Sequence, residues 1–324
     1  MRQTFCVALL GACLGACGAS EPKLPPPVAE PKGECDRPTV PRQAWRSTHL
    51  GTLLSGERSA EHSADDVVVA VGSPATLRGR FTYTALHKDL EREAVTTLLA
   101  ERTGCTTNVV GTSLTDNDGK TEVVTPPLAV GQYPYFMIVP GDGSSADGMV
   151  WAIAPGTKAV LFDVDGTLTT GDSELFEDLL GGQANMFADA NRVVQRWADA
   201  GYLIIYATGR PNFLRNHTRQ WLQQHHFPPG ALFTVDSLRQ ALPTASGVGT
   251  FKTNLISKLI ATGVVFERAY GNAATDACAY MRSGIEPSRV YMTNNKVRTC
   301  DGKSTLPLAS YSAHLASLVV PPLR

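Results

Sequence analysis

The chain has no surplus of charge of either sign: 29 Lys and Arg stand against 30 Asp and Glu in 324 residues, a formal net charge of −1. That excludes the basic footprint a nucleic acid would need, and no polybasic run marks a patch for an anionic membrane. Apolar runs long enough to cross a bilayer, about 20 residues, are missing too. The apolar stretch from Phe5 to Ala16 is too short. No cysteines stand at metal-ligand spacing. His225 and His226 are adjacent, so on a helix they point about 100° apart and make a poor zinc pair; they read as surface or capping residues. What remains is room for two domains, each with its own core.

The most informative segment lies near the middle, Ala159-Val160-Leu161-Phe162-Asp163-Val164-Asp165-Gly166-Thr167-Leu168-Thr169. An apolar run bounded by turn chemistry reads as a buried strand, and Gly166 lets the chain turn at once. Residues two apart on an extended segment share a face, so Asp163 and Asp165 are expected to converge at the strand's carboxyl end, where parallel α/β sheets put their sites. Two carboxylates so close repel unless a cation or a proton lies between them. The plainer reading is that Asp-Gly merely closes a turn after a core strand.

Three later segments argue against the plainer reading. Gly201-Tyr202-Leu203-Ile204-Ile205-Tyr206-Ala207-Thr208-Gly209-Arg210-Pro211 is a second apolar strand, and Pro211 suits the first turn of a helix. Thr208 would then sit at a helix amino terminus, where backbone amides favour a phosphate. Gly249 to Ile260 reads as a helix start with Lys252 in its first turn, placed to reach a phosphoryl oxygen. Lys258, about 240° further round, should face elsewhere. Val264 to Asp276 reads as strand, glycine turn and helix, bringing Asn272 near Asp276; two oxygen donors there would complete a hard-cation site of the kind magnesium prefers.

In order and interval these segments resemble the four motifs of the haloacid dehalogenase (HAD) superfamily. The passage from Val194 to His226, with Gln195-Arg196-Trp197 and Trp221-Leu222, and Tyr311-Ser312-Ala313-His314-Leu315, resemble the carboxyl-terminal domain shared by lipins and the membrane-associated phosphatidylinositol transfer proteins. The resemblance implies an α/β fold, a HAD-like Rossmannoid parallel sheet. It implies Asp163 as nucleophile and Asp165 as acid and base. Thr208, Gly209 and Lys252 would hold the phosphoryl group, and Mg²⁺ would rest on Asp163, the main-chain carbonyl of Asp165, and Asn272 or Asp276. In lipins the domain dephosphorylates phosphatidate; in the transfer proteins it resembles a phosphatidate-binding module without the full aspartate pair. The intact pair here and the Gly271-Asn272 to Asp276 stretch follow the lipin form, whereas Thr208-Gly209-Arg210-Pro211 is closer to the transfer proteins.

A helix near Ala184 to Ala200, a flap around Gly171 to Gly182, a helix from Asn212 to His226 and a strand near Leu232 to Val235 fill the intervals between motifs. Only a minimal cap fits, so the site should be open. Upstream, residues 65–155 read as a small all-β sandwich domain of short antiparallel strands. In Ala75 to Tyr83, Leu77, Phe81 and Tyr83 face one way and Thr76, Arg78, Arg80 and Thr82 the other. Asp116-Asn117-Asp118-Gly119 and Gly141-Asp142-Gly143 mark turns; Leu114 stands where a calcium loop needs its first acid, so a hairpin is expected. The phosphatase-like domain is expected over residues 156–324, with the β-domain a fixed companion.

Arg2 and the apolar Phe5 to Ala16 read as a signal peptide over residues 1–16. Leu14-Gly15-Ala16-Cys17 resembles the bacterial lipoprotein box, with lipidation at Cys17, though Leu10-Gly11-Ala12-Cys13 fits as well. Residues 17–43 read as a proline-rich tether. Export and membrane anchoring through lipid are expected, in the outer membrane or periplasm of a two-membrane bacterium. Of the seven cysteines, Cys35, Cys105, Cys278 and Cys300 would remain unacylated, and Cys35–Cys105 and Cys278–Cys300 are plausible pairs by domain. Taken together the sequence points to a Mg²⁺-dependent phosphatase acting on phosphatidate or another lipid phosphate. A non-catalytic phosphatidate- or phospholipid-binding module and a general exported acid phosphatase are the alternatives, and no nucleic acid partner is expected.

Overall fold

The computed structural model describes residues 37–101, 106–171, 184–236 and 245–323. Cys17, the signal and most of the tether, Cys35, Cys105 and most of the expected flap lie outside the described residues.

The second half is built on a six-stranded sheet in which every neighbouring pair runs parallel. From one edge the strands are Ala231–Val235, Leu203–Pro211, Lys158–Phe162, Val265–Gly271, Val290–Met292 and Leu306–Pro307. The chain thus starts in the middle, moves outward to one side, then crosses back to the other. Helices cover both faces, so the central strand must be apolar on both. Ala159 and Leu161 pack with Leu255, Ile256, Leu259, Ala277 and Tyr280 from the helices Thr250–Ala261 and Ala274–Arg282. Val160 and Phe162 turn to the opposite layer of Val193, Val194, Trp197, Trp221 and Tyr311. That alternation explains why the run from Ala159 to Phe162 has no polar residue. Each large side chain buried so contributes about 1.5–3 kcal/mol.

The expected helix near Ala184 begins only at Ala190 and ends at Asp199; its predecessor Asp189 has φ +62° and lies in a turn. After the strand Leu203–Pro211 comes a short 3₁₀ turn, Asn212–Leu214, followed by the helix Arg215–Gln224, and the edge strand Ala231–Val235 falls where it was expected. His225 closes that helix and His226 is exposed, in keeping with capping and surface roles. Cys278 and Cys300 are joined by a disulfide that ties the helix Ala274–Arg282 to the hairpin Thr299–Cys300/Lys303–Ser304.

The first half holds two facing sheets. One has five strands in the order Val67–Ala70, Ser145–Ile153, Gly131–Ile138, Ala94–Ala100, Thr107–Leu114; the other pairs Ser63–Ala64, Thr76–Arg80 and Lys120–Val124. Leu77 of the small sheet and Phe81 just after it meet Val95, Tyr135, Met137 and Val150 of the large one. The sandwich is not wholly antiparallel, because Val67–Ala70 runs parallel to the end of Ser145–Ile153. The outward face expected for Thr82 also fails: Thr82 is buried and donates its hydroxyl to the Glu61 carbonyl at 2.8 Å, because the chain leaves the strand Thr76–Arg80 there and Thr82–Tyr83 pairs instead with Lys88–Asp89. Asp116 closes the predicted hairpin turn, accepting from the amides of Asp118 and Lys120 at 2.8 Å each.

The two halves share a core, since Val68, Trp151 and Ile153 pack against Ala159, Leu203 and Phe266. Asp66 completes the junction. Its carboxylate accepts from the amides of Met149 at 3.0 Å and Leu232 at 2.8 Å and from the Arg219 guanidinium at 2.8 Å. Arg215 reaches Asp65 at 3.1 Å beside it. The β-sandwich is therefore a fixed companion of the parallel sheet.

Candidate functional site

The carboxyl ends of the three middle strands converge, and there the aspartates lie. The central strand ends at Phe162, one residue before Asp163, whose amide still donates to the Tyr270 carbonyl at 3.0 Å. The following turn needs a left-handed residue, and Gly166 supplies it with φ +66°. Thr293 donates to the Gly166 carbonyl at 2.8 Å and Tyr311 to the Thr167 carbonyl at 3.0 Å, so the turn is held from the opposite edge and from the last helix. The sequence had marked Tyr311 only as part of a resemblance; its buried hydroxyl supports the site from beneath.

Asp163 is buried, and both of its oxygens are engaged. Oδ1 accepts from Lys252 Nζ at 2.6 Å and Oδ2 from the Thr167 hydroxyl at 2.8 Å. The same Nζ donates to Asp276 Oδ1 at 2.6 Å, and Asp276 Oδ2 accepts from the amides of Asn272 and Ala273 at 3.1 Å each. Lys252 thus stands between two carboxylates, in the first turn of its helix as expected, while Lys258 faces solvent. Burial alone would lower the Lys252 pKa, but Asp163 and Asp276 more than reverse this, so its ammonium is held protonated. One ammonium cannot neutralise two acids. Burial therefore pushes the Asp163 carboxyl up to about 7; Lys252 pulls it down, and Asp276 and Asp165 add to the rise. An ammonium has three N–H bonds, so Lys252 retains one beyond these two contacts for a ligand oxygen.

Asp165 belongs to a different set of partners. Arg210 grips it with Nε to Oδ1 at 2.9 Å and Nη2 to Oδ1 at 2.8 Å, and the Thr208 hydroxyl donates to Oδ2 at 2.9 Å. Thr208 does not stand at a helix amino terminus. The strand continues through Gly209 and Arg210 to Pro211, and helix begins only afterwards, so Thr208 is buried at a strand end with its proton turned to Asp165. Extension of the strand puts Thr208 and Arg210, two residues apart, on one face. Arg210 went unrecognised in the sequence because Thr-Gly-Arg-Pro reads as a cap; a strand extended by two residues would have placed it. At Gly209 a Cβ would come within 2.8 Å of Val248 Cγ2, so the absence of a side chain admits the 245–249 segment.

Asn272 and Asp276 are neighbours, as expected. Asp276 acts through Lys252 and through the backbone amides at the start of its helix. Among the described residues no group of three or more His, Cys, Asp and Glu is arranged to hold a metal ion. The donors at hand are oxygens: the Asp163 carboxylate, the Asp165 main-chain carbonyl and the Asn272 side chain. An all-oxygen set in a cluster with excess negative charge fits a hard divalent cation.

Residues 160–294 match the LNS2 domain of PITM 1-3, and residues 60–152 match the PITM 1-3 beta-sandwich domain. Human membrane-associated phosphatidylinositol transfer protein 1 is 31% identical over 308 residues, 88% of this chain and 23% of that protein. Drosophila melanogaster protein retinal degeneration B is 29% identical over 287 residues, 87% of this chain and 22% of that protein. The chain thus spans less than a quarter of the length of these two relatives. A solved structure from Mesorhizobium loti described as a HAD-like phosphatase is 14% identical, covers 50% of this chain and 84% of that one, and has a TM-score of 0.37.

Proposed function

We propose that the chain is a phosphomonoester hydrolase whose substrate is phosphatidate or a related lipid phosphate. The observation that carries the reading is Lys252, buried between Asp163 and Asp276 with one N–H to spare, at the carboxyl end of a parallel sheet. A phosphoryl group arriving there meets a carboxylate and a fixed ammonium together. Asp163 attacks phosphorus and forms an aspartyl-phosphate as the ester oxygen departs. Asp165 gives the departing oxygen a proton and later takes one from the water that cleaves the acyl phosphate. Lys252 balances charge on the phosphoryl oxygens. Mg²⁺, held by Asp163, the Asp165 carbonyl and Asn272, would supply Lewis-acid stabilisation of the phosphoryl oxygens. The lipid class is suggested by relatives named as phosphatidylinositol transfer proteins, and in this reading Cys17 carries the anchor that keeps the enzyme exported and membrane-attached.

One observation favours a second reading. The two-pronged hold of Arg210 on Asp165, reinforced by Thr208, occupies the carboxylate that must move protons. A site so held would bind a lipid phosphate without turning it over. The test is phosphate release from micellar phosphatidate and from a soluble aryl phosphate, with and without Mg²⁺, beside Asp163→Asn. Mg²⁺-dependent release that vanishes in the variant supports hydrolysis, and preference for the aryl ester over phosphatidate moves the substrate to soluble esters. No release from either, with phosphatidate binding retained, establishes the binding module instead.

A further inference from the structure

Beside the site lies a basic ledge that the linear sequence conceals. It begins at Thr293, whose hydroxyl donates to the carbonyl of Gly166, and runs through Lys296, Val297 and Arg298 into the hairpin Thr299–Cys300/Lys303–Ser304. Arg298 and Thr305 extend the hairpin by one pair: the Thr305 amide donates to the Arg298 carbonyl at 2.9 Å, and the Arg298 amide to the Thr305 hydroxyl at 2.9 Å. The disulfide to Cys278 fixes the ledge to the helix that carries Asp276. Cross-strand register pairs Cys300 with Lys303 and Thr299 with Ser304; Cys300 is buried by its disulfide to the helix, while Thr299, Lys303 and Ser304 are exposed.

The cations on this ledge, Lys296, Arg298 and Lys303, outnumber its one acid, Asp301. Asp301, the acid of this hairpin, is taken by Arg282 at 2.9 Å. Lys296, Arg298 and Lys303 have no ion-pair partner among the described residues, whereas Arg210, Arg215, Arg219 and Lys252 in the same half are all paired. Arg298 reaches the Asn272 carbonyl at 3.4 Å, and its Nε–H is buried with no acceptor, a donor left over where ledge and site meet. Between these cations Val297 is 53% exposed. Unpaired cations flanking an exposed apolar side chain complement an array of anionic headgroups above an acyl layer.

We infer that this ledge is the surface on which the protein meets an anionic lipid bilayer, so that headgroups are presented to the neighbouring phosphate site. The inference deepens the lipid reading above, but its test is separate from turnover. The full chain carrying Cys13→Ser and Cys17→Ser, to remove any acyl contribution, is assayed for binding to phosphatidylcholine vesicles with and without phosphatidylglycerol, a phosphodiester that the hydrolytic site does not cleave. Binding is expected only with phosphatidylglycerol and is expected to fall as salt rises. Lys296→Gln with Lys303→Gln should weaken it about 30-fold, about 5-fold for each lysine. Lys258→Gln, an exposed lysine on another helix, should leave it unchanged, and thermal melts check folding. Equal binding to both vesicles, no salt dependence, or equal losses in the ledge and Lys258 variants would overturn the proposal. Phosphatidylglycerol carries no phosphate monoester to release, so failure of hydrolysis and failure of the ledge are read independently.

Discussion

Replacing Lys252 with methionine tests whether the centre of the site is held by charge. Methionine keeps most of the buried stem and removes only the ammonium, whose two 2.6 Å contacts to Asp163 and Asp276 then have no donor. Breaking a buried ion pair from one side costs about 3–5 kcal/mol, because the remaining charge is left uncompensated. Two carboxylates share this cation, and one of them escapes part of the cost by taking up a proton. With Asp163 already raised to about 7, it is the acid that protonates first. At about 2–4 °C per kcal/mol for a chain of this size, the melting temperature should fall by about 10 °C. A double-mutant cycle with Asp276→Asn separates charge from packing, since asparagine still offers an oxygen to the amides of Asn272 and Ala273. In the parent Asp276→Asn should destabilise; beside Lys252→Met it should restore about 1–2 kcal/mol, as it removes a stranded charge. Thermal melts of the four proteins at pH 7.5 read this directly. A Lys252→Met melt within about 2 °C of the parent, or strictly additive losses in the cycle, would refute the reasoning.

Burial pushes His62 down to about 4, partly opposed by Asp142, whereas the unfolded chain takes up that proton below about 6.5; His62 stability is therefore complete above pH 6.5 and lost as pH falls toward 4, by about 2 kcal/mol between pH 7 and 5. Denaturant titrations across that range should show the slope, and His62→Gln should flatten it. Asp66→Ala leaves the Met149 and Leu232 amides without their acceptor while Arg219 keeps Asp147, so a loss of about 2–4 kcal/mol is expected in the same assay; a loss under about 1 kcal/mol would mean that the halves are held by apolar contact alone. Arg210→Lys replaces the two-pronged grip on Asp165 by a single one; if that grip restrains proton transfer, phosphate release should rise at unchanged Asp163, and a fall would place Arg210 on the substrate.

The parts legible in the sequence were those fixed by neighbours along the chain. The run from Ala159 to Phe162 reads as a strand because both of its faces are buried, and Lys252 falls in a helix's first turn because the apolar spacing begins at Phe251. The convergence of Asn272 with Asp276 follows from a strand, a turn and a helix in sequence. The parts that were missed depend on distant partners. Asp66 satisfies groups at positions 149, 219 and 232, and no local pattern reports such a contact. Thr208 was misplaced for a different reason: proline suits both a strand end and a helix start, and the strand prevails here because Pro211 pairs with Val235 across the register shift. The basic ledge escaped because its cations are spaced along the chain and gathered by a hairpin and a disulfide.

The two functional readings share one electrostatic requirement. Asp163, Asp165 and Asp276 bring three carboxylates to the strand ends, against the two cations Lys252 and Arg210. One negative charge is left over; burial raises the Asp163 carboxyl to about 7, and Asp276 and Asp165 add to the rise that Lys252 opposes. A phosphate monoester arriving as a dianion would make that excess worse, so neither hydrolysis nor simple binding is favourable at the unaided cluster. The Asp163, Asp165 and Asn272 oxygens would have to hold a divalent cation for the site to carry net positive charge toward the phosphate. Chelation should therefore abolish release, and also the binding of a short-chain, soluble phosphatidate that offers no bilayer to the ledge. A chain that still binds the lipid phosphate in EDTA would show that the phosphate is held elsewhere, and the ledge of Lys296, Arg298 and Lys303 would then be the first place to look. What separates the readings is not the metal but Asp165: a carboxylate that stays with Arg210 can help shape the site, whereas one that leaves it can carry a proton to the ester oxygen.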